Sequence, residues 1–355
     1  MQNLLYCLSP EWARIRANLR QRILTVDAES FESLALDVFR YQAALNPTYR
    51  AFLNALRVEV DEVQQLAQVP FMPIGFFKHH AIVSAEWLSP AVLESAVCFA
   101  SSGTTGATTS HHYLFDEPLY DQVSRQIFEA TYGPLTNVHI LALLPSYLER
   151  NNSSLVYMVR QFIEQTGSAE SGFYLHDTDG LTRRIRHLLD TSSRTILLMG
   201  VTFALLDWVE SATNLAFIGE SKRVLIMETG GMKGRRREML REEVHEILTD
   251  RLQTPRIHSE YGMTELLSQG YSTGEGVFRP GATMQIRLRD INDPFTIFPA
   301  DYTRTGGINV IDLANLDSCS FIETQDLGQN GPEPGTFRVM GRFDNSDVRG
   351  CNLMV

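Results

Sequence analysis

The sequence predicts an α/β protein built on a buried, largely parallel sheet, and three observations lead to this fold class. From about residue 92 to residue 252, apolar runs of strand length alternate with helical patterns. Residues 9 to 66, before them, have apolar residues at helical spacings. After residue 275, short β-rich runs are separated by Gly or Pro. We therefore expect a helical N-terminal segment, an α/β body and a small, antiparallel β unit.

The N-terminal helical prediction rests on apolar spacing and one interruption. Leu36 and Phe39, then Phe52 and Leu56, recur three or four residues apart. Pro47 breaks the pattern, because proline ends or begins a helix. More than one helix is therefore expected here.

Four apolar runs are predicted as strands of the parallel sheet: VCFA (97–100), HILALLP (139–145), TILLMG (195–200) and RVLIME (223–228). Each ends in small or turn residues before a helical pattern. One helix is expected near Glu117–Thr131. Another is expected from Arg235 to Leu252, with its apolar face at Leu240, Val244, Ile247 and Leu248.

Composition narrows the functional class. The 355 residues carry a formal net charge of −11, so broad binding to nucleic acid or anionic membrane is not expected. No apolar run reaches the roughly 18 residues of a membrane span. The first residues lack the pattern of a signal peptide, so a cytoplasmic protein is expected. The four cysteines form no CxxC pair and indicate neither a zinc site nor a disulfide framework.

A loop rich in hydroxyl residues follows the first predicted strand. It runs from Ser101 to Ser110, and its first part contains Ser101, Ser102, Gly103, Thr104, Thr105 and Gly106. Glycines let a ligand approach the backbone, and backbone N–H groups with several hydroxyls form a cradle for phosphate oxygens. No lysine follows the second glycine, so this is not a Walker loop. A flexible Ser/Thr loop without a ligand is the alternative.

A second candidate segment is SEYGMTELLSQG, at 259–270. The Tyr261 ring can stack on a planar base, Gly262 makes room for a turn, and the Thr264 hydroxyl can bind phosphate. Glu265 offers carboxylate oxygens, which Mg²⁺ prefers. A turn that leads into a helix explains the same residues.

Two further candidates lie near the C-terminus. Asp326, in FIETQDLG, can accept hydrogen bonds from both hydroxyls of a ribose. Arg342, in MGRFDNSDVRG, can bind phosphate or ribose. Ordinary turns and a surface arginine remain the alternatives for these two positions.

In combination and in this order, the four features resemble the motifs of the adenylate-forming (ANL) superfamily, which includes acyl-CoA ligases, luciferases and peptide-synthetase adenylation domains. The resemblance covers residues 101 to 344. It implies the large-domain fold of those enzymes, with ATP phosphates on the hydroxyl loop. It also implies adenine, α-phosphate and Mg²⁺ at the Tyr-Gly-x-Thr-Glu segment, and ribose on Asp326. The TGGMKG turn, with Gly230, Gly231 and Lys233, resembles the one that flanks adenine in the superfamily.

The sequence departs from the superfamily in two places. Ser110 stands where the loop usually ends in lysine, so Lys233 or Lys78 is a candidate replacement, although a surface role is the simpler interpretation of Lys78. About ten residues follow Asp344, so the C-terminal lid domain with its second lysine is expected to be lacking.

One branch, the acyl-protein synthetases of the bacterial luminescence fatty-acid reductase complex (the LuxE family), is similar in LLPSYLERNNSSLVYM, METGGMKGRRRE and VRGCNLMV. That resemblance implies activation of a fatty acid, transfer of the acyl group to Cys351, and passage to a partner such as an acyl reductase. The predicted units are residues 1–275, 276–345 and a tail at 346–355. A CoA-ligase-like enzyme that needs a separate lid protein, and a non-catalytic ATP- or acyl-binding subunit, remain alternatives.

His111 and His112 follow the hydroxyl loop and can reach a substrate carboxylate or phosphate. Adjacent residues of a strand point to opposite faces, so we expect at most one of them to face the site. Cys98, in an apolar strand, is expected to serve packing.

Overall fold

The computed structural model describes residues 2–101, 108–144, 152–230, 236–237 and 239–343. The helices within these ranges are α1 Gln2–Leu5, α2 Pro10–Ile23, α3 Phe31–Leu45, α4 Pro47–Ala55, α5 Pro90–Glu94, α6 Glu117–Tyr132, α7 Ser154–Thr166, α8 Thr178–Thr191, α9 Thr202–Ser211 and α10 Arg241–Leu252. The strands are β1 Met72–Pro73, β2 Val97–Ala100, β3 His111–Leu114, β4 Val138–Leu143, β5 Gly172–Phe173, β6 Thr195–Val201, β7 Val224–Thr229, β8 His258–Tyr261, β9 Gly270–Ser272, β10 Arg279–Pro280, β11 Met284–Arg289, β12 Gly306–Asp312, β13 Phe321–Asn330 and β14 Phe337–Arg342.

The larger sheet has the strand order β10-β9-β8-β7-β6-β4-β5. Its strands from β5 to β8 are parallel, while β9 and β10 continue it in antiparallel fashion at one edge. Helix α7 packs against β4, and α9 against β6. Parallel strands covered by helices are buried along their length, which explains the continuous apolar runs. The prediction of a largely parallel sheet is confirmed.

The second sheet contains β11, β12, β13 and β14 in antiparallel pairing, and β1 joins β13 in parallel. The prediction of an antiparallel β unit after residue 275 is confirmed. The sheet also takes in Met72–Pro73 from the N-terminal part, while Arg279–Pro280 pairs with the larger sheet. Strand pairing therefore crosses residue 275 in both directions, and the domain bounds stay a prediction.

The VCFA run forms a strand, but its expected place in the parallel sheet is wrong. Among the described residues, β2 pairs with β3 alone in an antiparallel ladder, with Val97 opposite Leu114. The two strands precede and follow the hydroxyl loop in the sequence. A parallel partner would instead require a crossover connection.

Helix α10 is shorter than predicted at its N-terminal end. It begins at Arg241, and Leu240 is the N-cap residue with 65% of its surface exposed. Leu240 therefore does not belong to the apolar face. Val244 and Leu248 are buried, and Ile247 packs against the core.

The predicted N-terminal helices are confirmed as α2, α3 and α4. Helix α3 ends at Leu45, and Asn46 caps α4 by accepting a hydrogen bond from the Tyr49 amide at 3.0 Å. The Tyr49 ring stacks on Phe321 of β13, with ring centroids 6.3 Å apart. The helices thus bury their apolar face against the second sheet. In the described part of the chain, no helix is long and apolar enough to cross a membrane.

Candidate functional site

Three of the sequence-predicted residues meet where the two sheets face each other. Tyr261 ends β8 of the larger sheet, while Asp326 and Arg342 lie opposite each other on β13 and β14. The Tyr261 hydroxyl donates a hydrogen bond to Asp326 Oδ2 at 2.9 Å. Arg342 Nε donates to Asp326 Oδ1, also at 2.9 Å. Asp326, on β13, is therefore hydrogen-bonded to β8 through Tyr261 and to β14 through Arg342.

This trio combines a buried carboxylate with an exposed cation. The side chain of Asp326 is 7% exposed, whereas that of Arg342 is 71% exposed. Attraction by Asp326 raises the pKa of Arg342. Burial, and then the negative charge of Asp326, raise the pKa of Tyr261 well above its usual value, so its hydroxyl stays a donor.

Glu265 lies just beyond Tyr261 and is also buried. Burial raises the pKa of its carboxyl group, while a hydrogen bond from the Ser110 side chain and attraction by Arg342 and Lys78 oppose that rise. Ser110 is the last residue of the hydroxyl loop. The loop therefore ends beside the Tyr261–Glu265 segment.

The two ends of the hydroxyl loop are held together by two hydrogen bonds between Ser101 and Ser110. The Ser101 amide donates to the Ser110 carbonyl at 3.1 Å, and the Ser110 amide donates to Ser101 Oγ at 2.9 Å. Ser101 is thus placed near Glu265. The predicted residues Ser102, Gly103, Thr104, Thr105 and Gly106 lie outside the described residues.

The Tyr261–Glu265 segment is anchored through its backbone. His112 Nδ1 donates to the Thr264 carbonyl at 2.8 Å, and Asn315 Nδ2 donates to the Glu265 carbonyl at 2.8 Å. The Asp312 carboxylate accepts from the amides of Leu267 and Ser268, two and three residues after Glu265. The segment is therefore fixed to β3 through His112 and to the end of β12 through Asp312. The sequence analysis missed Asp312 and Asn315, which carry no local motif.

His112 is a positioning residue in this arrangement. Its neighbour His111 is exposed, whereas His112 is buried against Phe77 with ring centroids 5.6 Å apart. Burial lowers the pKa of His112 to about 4, so the ring is neutral at physiological pH. The two histidines do point to opposite faces, and the buried one holds Thr264 in place.

The glycines of this region have different roles. Gly230 follows β7 with φ +72°, a conformation that favours glycine, and its carbonyl accepts a hydrogen bond from Thr202 Oγ1. At Gly262, an added Cβ would lie 2.3 Å from Glu260 Oε1, so a side chain has no room unless Glu260 moves. Gly231 and Lys233 lie outside the described residues.

Two buried glutamates at the carboxyl ends of β7 and β8 were not predicted from sequence. Glu260 accepts a hydrogen bond from Thr229 Oγ1 at 2.5 Å, and burial raises the pKa of Glu260 to about 7. Glu228 accepts from Arg241 Nε at 3.2 Å. Burial alone would raise the pKa of Glu228, but His245 and Arg241 hold it below its usual value. An acidic residue within an otherwise buried strand was the available signal.

The described cysteines, Cys7, Cys98 and Cys319, lie in different parts of the structure. Cys7 and Cys319 are buried, and Cys98 is half-buried in β2. Burial raises the pKa of the Cys98 thiol, which makes it a poor nucleophile. The predicted acyl acceptor, Cys351, lies outside the described residues.

The chain was compared with protein families, curated proteins and solved structures. No family model matches it, and no curated protein matches it significantly. It is similar to coronafacic acid ligase from Pectobacterium brasiliense, with a TM-score of 0.42 and 14% identity over 63% of this chain and 43% of that one. It is also similar to an adenylation domain of a keto acid-selecting NRPS module bound to keto acyl adenylate, with a TM-score of 0.47 and 13% identity over 73% of this chain and 53% of that one. The chain thus spans about half the length of these structures. Identity this low assigns neither reaction nor substrate.

Proposed function

We propose that the protein activates a carboxylic acid with ATP. In this reaction the substrate carboxylate attacks the α-phosphorus, the bond to the β,γ-diphosphate breaks, and an acyl-adenylate and pyrophosphate form. The observation that carries the proposal is the convergence of Tyr261, Asp326 and Arg342 from both sheets, close to the buried Glu265. These residue types suit a base, a ribose and a phosphate at one place.

The Asp326 carboxylate has capacity for a ribose. A carboxylate offers about four lone-pair sites, and Tyr261 and Arg342 each use one of them. The Tyr261 ring is held edge-on between Phe278 and Phe337, with centroids 6.0 and 5.2 Å away. It would form a rigid wall for the adenine. Arg342 keeps further N–H donors on the exposed side of its guanidinium.

Glu265 suits a magnesium ion that accompanies the phosphates. In the part of the chain that the structure describes, no three His, Cys, Asp or Glu side chains form a metal-binding group. Mg²⁺ is usually held by one or two carboxylates together with substrate phosphates, so a single carboxylate fits this ion. Mg²⁺ would supply neutralisation of the phosphate charge. Thr264 and Ser101–Gly106 are proposed to hydrogen-bond the phosphates, and Gly230, Gly231 and Lys233 to flank the adenine.

More specifically, we propose that the protein is an acyl-protein synthetase. The acid would be a fatty acid, its acyl group would pass to the Cys351 thiol with release of AMP, and an acyl reductase or another protein would receive it. The support for this step is the resemblance of the sequence to the LuxE family. A nearby thiolate is a suitable nucleophile for an acyl-adenylate.

Exchange of labelled pyrophosphate into ATP, dependent on an added carboxylic acid, tests the adenylation. Glu265→Gln keeps the side-chain volume but removes a metal ligand, so exchange is expected to fall by about 100-fold or more. Glu246→Gln is the matched control, because Glu246 is exposed on α10. This control is expected to exchange at the wild-type rate.

Thermal unfolding of each variant separates loss of activity from loss of structure. Wild-type exchange in Glu265→Gln would remove this residue from its proposed role. Tight ATP binding by the wild type, without exchange for any acid in a panel of fatty, aryl and keto acids, would favour a non-catalytic subunit instead. Consumption of free CoA by the chain would favour a CoA ligase.

A further inference from the structure

A short 3₁₀ helix, Ile74–Lys78, connects two parts of the candidate site. It follows β1, which pairs with β13 so that Pro73 lies opposite Glu323, three residues before Asp326. The helix contacts both β13 and β3. Its Phe77 packs against His112, the residue that holds the Thr264 carbonyl. The backbone of this helix is therefore fixed beside the site from two directions.

Lys78 ends this helix and has an exposed side chain. Among the described acidic residues, none forms an ion pair with it within 4.0 Å. Its positive charge nevertheless opposes the burial-induced rise in the pKa of Glu265, more weakly than that of Arg342 does. Arg342 is engaged with Asp326, whereas Lys78 has its charge available.

The charge of a triphosphate requires cations that the hydroxyl loop does not supply. Ser110, at the end of that loop, bonds to Glu265 and is uncharged. The chain has three lysines, at positions 78, 222 and 233. Lys222 precedes β7 and so lies at the amino ends of the parallel strands, whereas Tyr261 lies at the carboxyl end of β8. In the described ranges, Lys78 is the lysine located at the site.

We propose that Lys78 binds the terminal phosphates of ATP, and the pyrophosphate formed from them, at the candidate site. The inference rests on the proposed adenylation. A lysine ammonium is a compact point charge on a flexible stem, so an exposed Lys78 can follow a phosphate without a preformed pocket. Lys78 and Arg342 then flank Glu265 from different elements. The substrate phosphates would lie in a field set by both cations.

The test compares binding of ATP, pyrophosphate and AMP, measured by calorimetry in the presence of Mg²⁺. Lys78→Gln is expected to weaken ATP and pyrophosphate binding by about tenfold or more, because it removes a charged hydrogen-bond donor. AMP lacks the terminal phosphates, so its affinity is expected to stay unchanged. Lys78→Arg should retain most of the ATP affinity. Lys222→Gln is the matched control and should bind all three like the wild type.

The outcomes separate this inference from the proposed function. Wild-type exchange together with unchanged ATP and pyrophosphate affinity in Lys78→Gln would overturn the role of Lys78 and leave the adenylation standing. Equal weakening of AMP and ATP would also overturn it, since the effect would not be specific to the terminal phosphates. A wild-type protein that neither binds ATP nor exchanges pyrophosphate would overturn both proposals.

Discussion

At the scale of single residues, Asp326 organises the candidate site. It is buried, and it accepts hydrogen bonds from Tyr261 and Arg342. It lies on β13, apart from the segment after β8 that carries Glu265. A buried carboxylate that lost a donor would be partly desolvated without compensation. The position of the proposed ribose acceptor therefore depends on its two partners.

Tyr261→Phe keeps the ring and removes the donor to Asp326. A hydrogen bond to a charged group contributes about 1.5–3 kcal/mol, so ATP affinity is expected to fall by about tenfold. Calorimetric titration with ATP measures the effect, and Tyr6→Phe is the control, since Tyr6 is 73% exposed. If Tyr261→Phe binds ATP like the wild type, the hydroxyl does not orient Asp326 for its proposed role as the ribose acceptor.

At the scale of elements, a buried ion cluster ties α2 to α6 and to the loop before β13. Arg16 of α2 pairs with Asp116, the N-cap residue of α6, at 3.0 Å, and with Asp317 at 2.5 Å. Arg20 pairs with Asp116 at 2.7 Å. Burial alone would raise the pKa of Asp116, but the hydrogen bond from Arg20 and the attraction of Arg16 bring it below 3.8.

This lowered pKa makes the cluster sensitive to acid. Its stabilisation is fully present above the unfolded-state pKa near 3.8 and is lost as the pH falls through the lower folded-state value. Arg20→Gln is expected to lower the free energy of unfolding by about 1–3 kcal/mol at pH 7. The difference from the wild type should shrink below about pH 4, as Asp116 becomes protonated.

Urea denaturation at several pH values between 3 and 7 measures this, with Arg22→Gln as the control on the same helix. Arg22 pairs with Asp37, and both side chains are more than a third exposed, so a change of at most about 1 kcal/mol is expected. An effect of Arg20→Gln that does not depend on pH would contradict the role assigned to Asp116.

At the scale of the whole molecule, the chain is proposed to carry its own acyl acceptor, Cys351. A thiol on the same chain has a high effective concentration at the site if the tail can reach it. Incubation with ATP, Mg²⁺ and labelled fatty acid is expected to label the protein in a form that neutral hydroxylamine cleaves. Cys351→Ser should lose the label and keep pyrophosphate exchange, because only the second half-reaction is removed.

Cys98→Ser serves as the matched control and should be labelled like the wild type, since the Cys98 thiol is half-buried with a raised pKa. Label on Cys351→Ser at the wild-type level would show that Cys351 is not the acceptor. It would leave the adenylation intact.

The sequence by itself determined the local structure. Buried parallel strands and amphipathic helices leave apolar patterns of a few residues. The strands β4, β6 and β7 were therefore predicted close to their observed bounds, and the N-terminal helices were predicted as a helical region interrupted at Pro47. Tyr261, Asp326 and Arg342 were also selected from sequence, as parts of separate motifs. Neighbouring residues alone were enough for the strands and helices, whereas the three site residues were selected through the order of their motifs along the chain and the resemblance that it carries.

Only the tertiary structure decided which of these parts meet and what supports them. Contacts between distant segments decide that β2 pairs with β3 and that His112 is turned into the core. They also decide that Glu228 and Glu260 are buried and that the charge of Lys78 acts on Glu265. The place of Lys78, for example, is set by the pairing of β1 with β13 and by the packing of Phe77 on His112. Such contacts leave no periodic trace in the chain, because burial and charge at a residue are set by whatever segment folds against it.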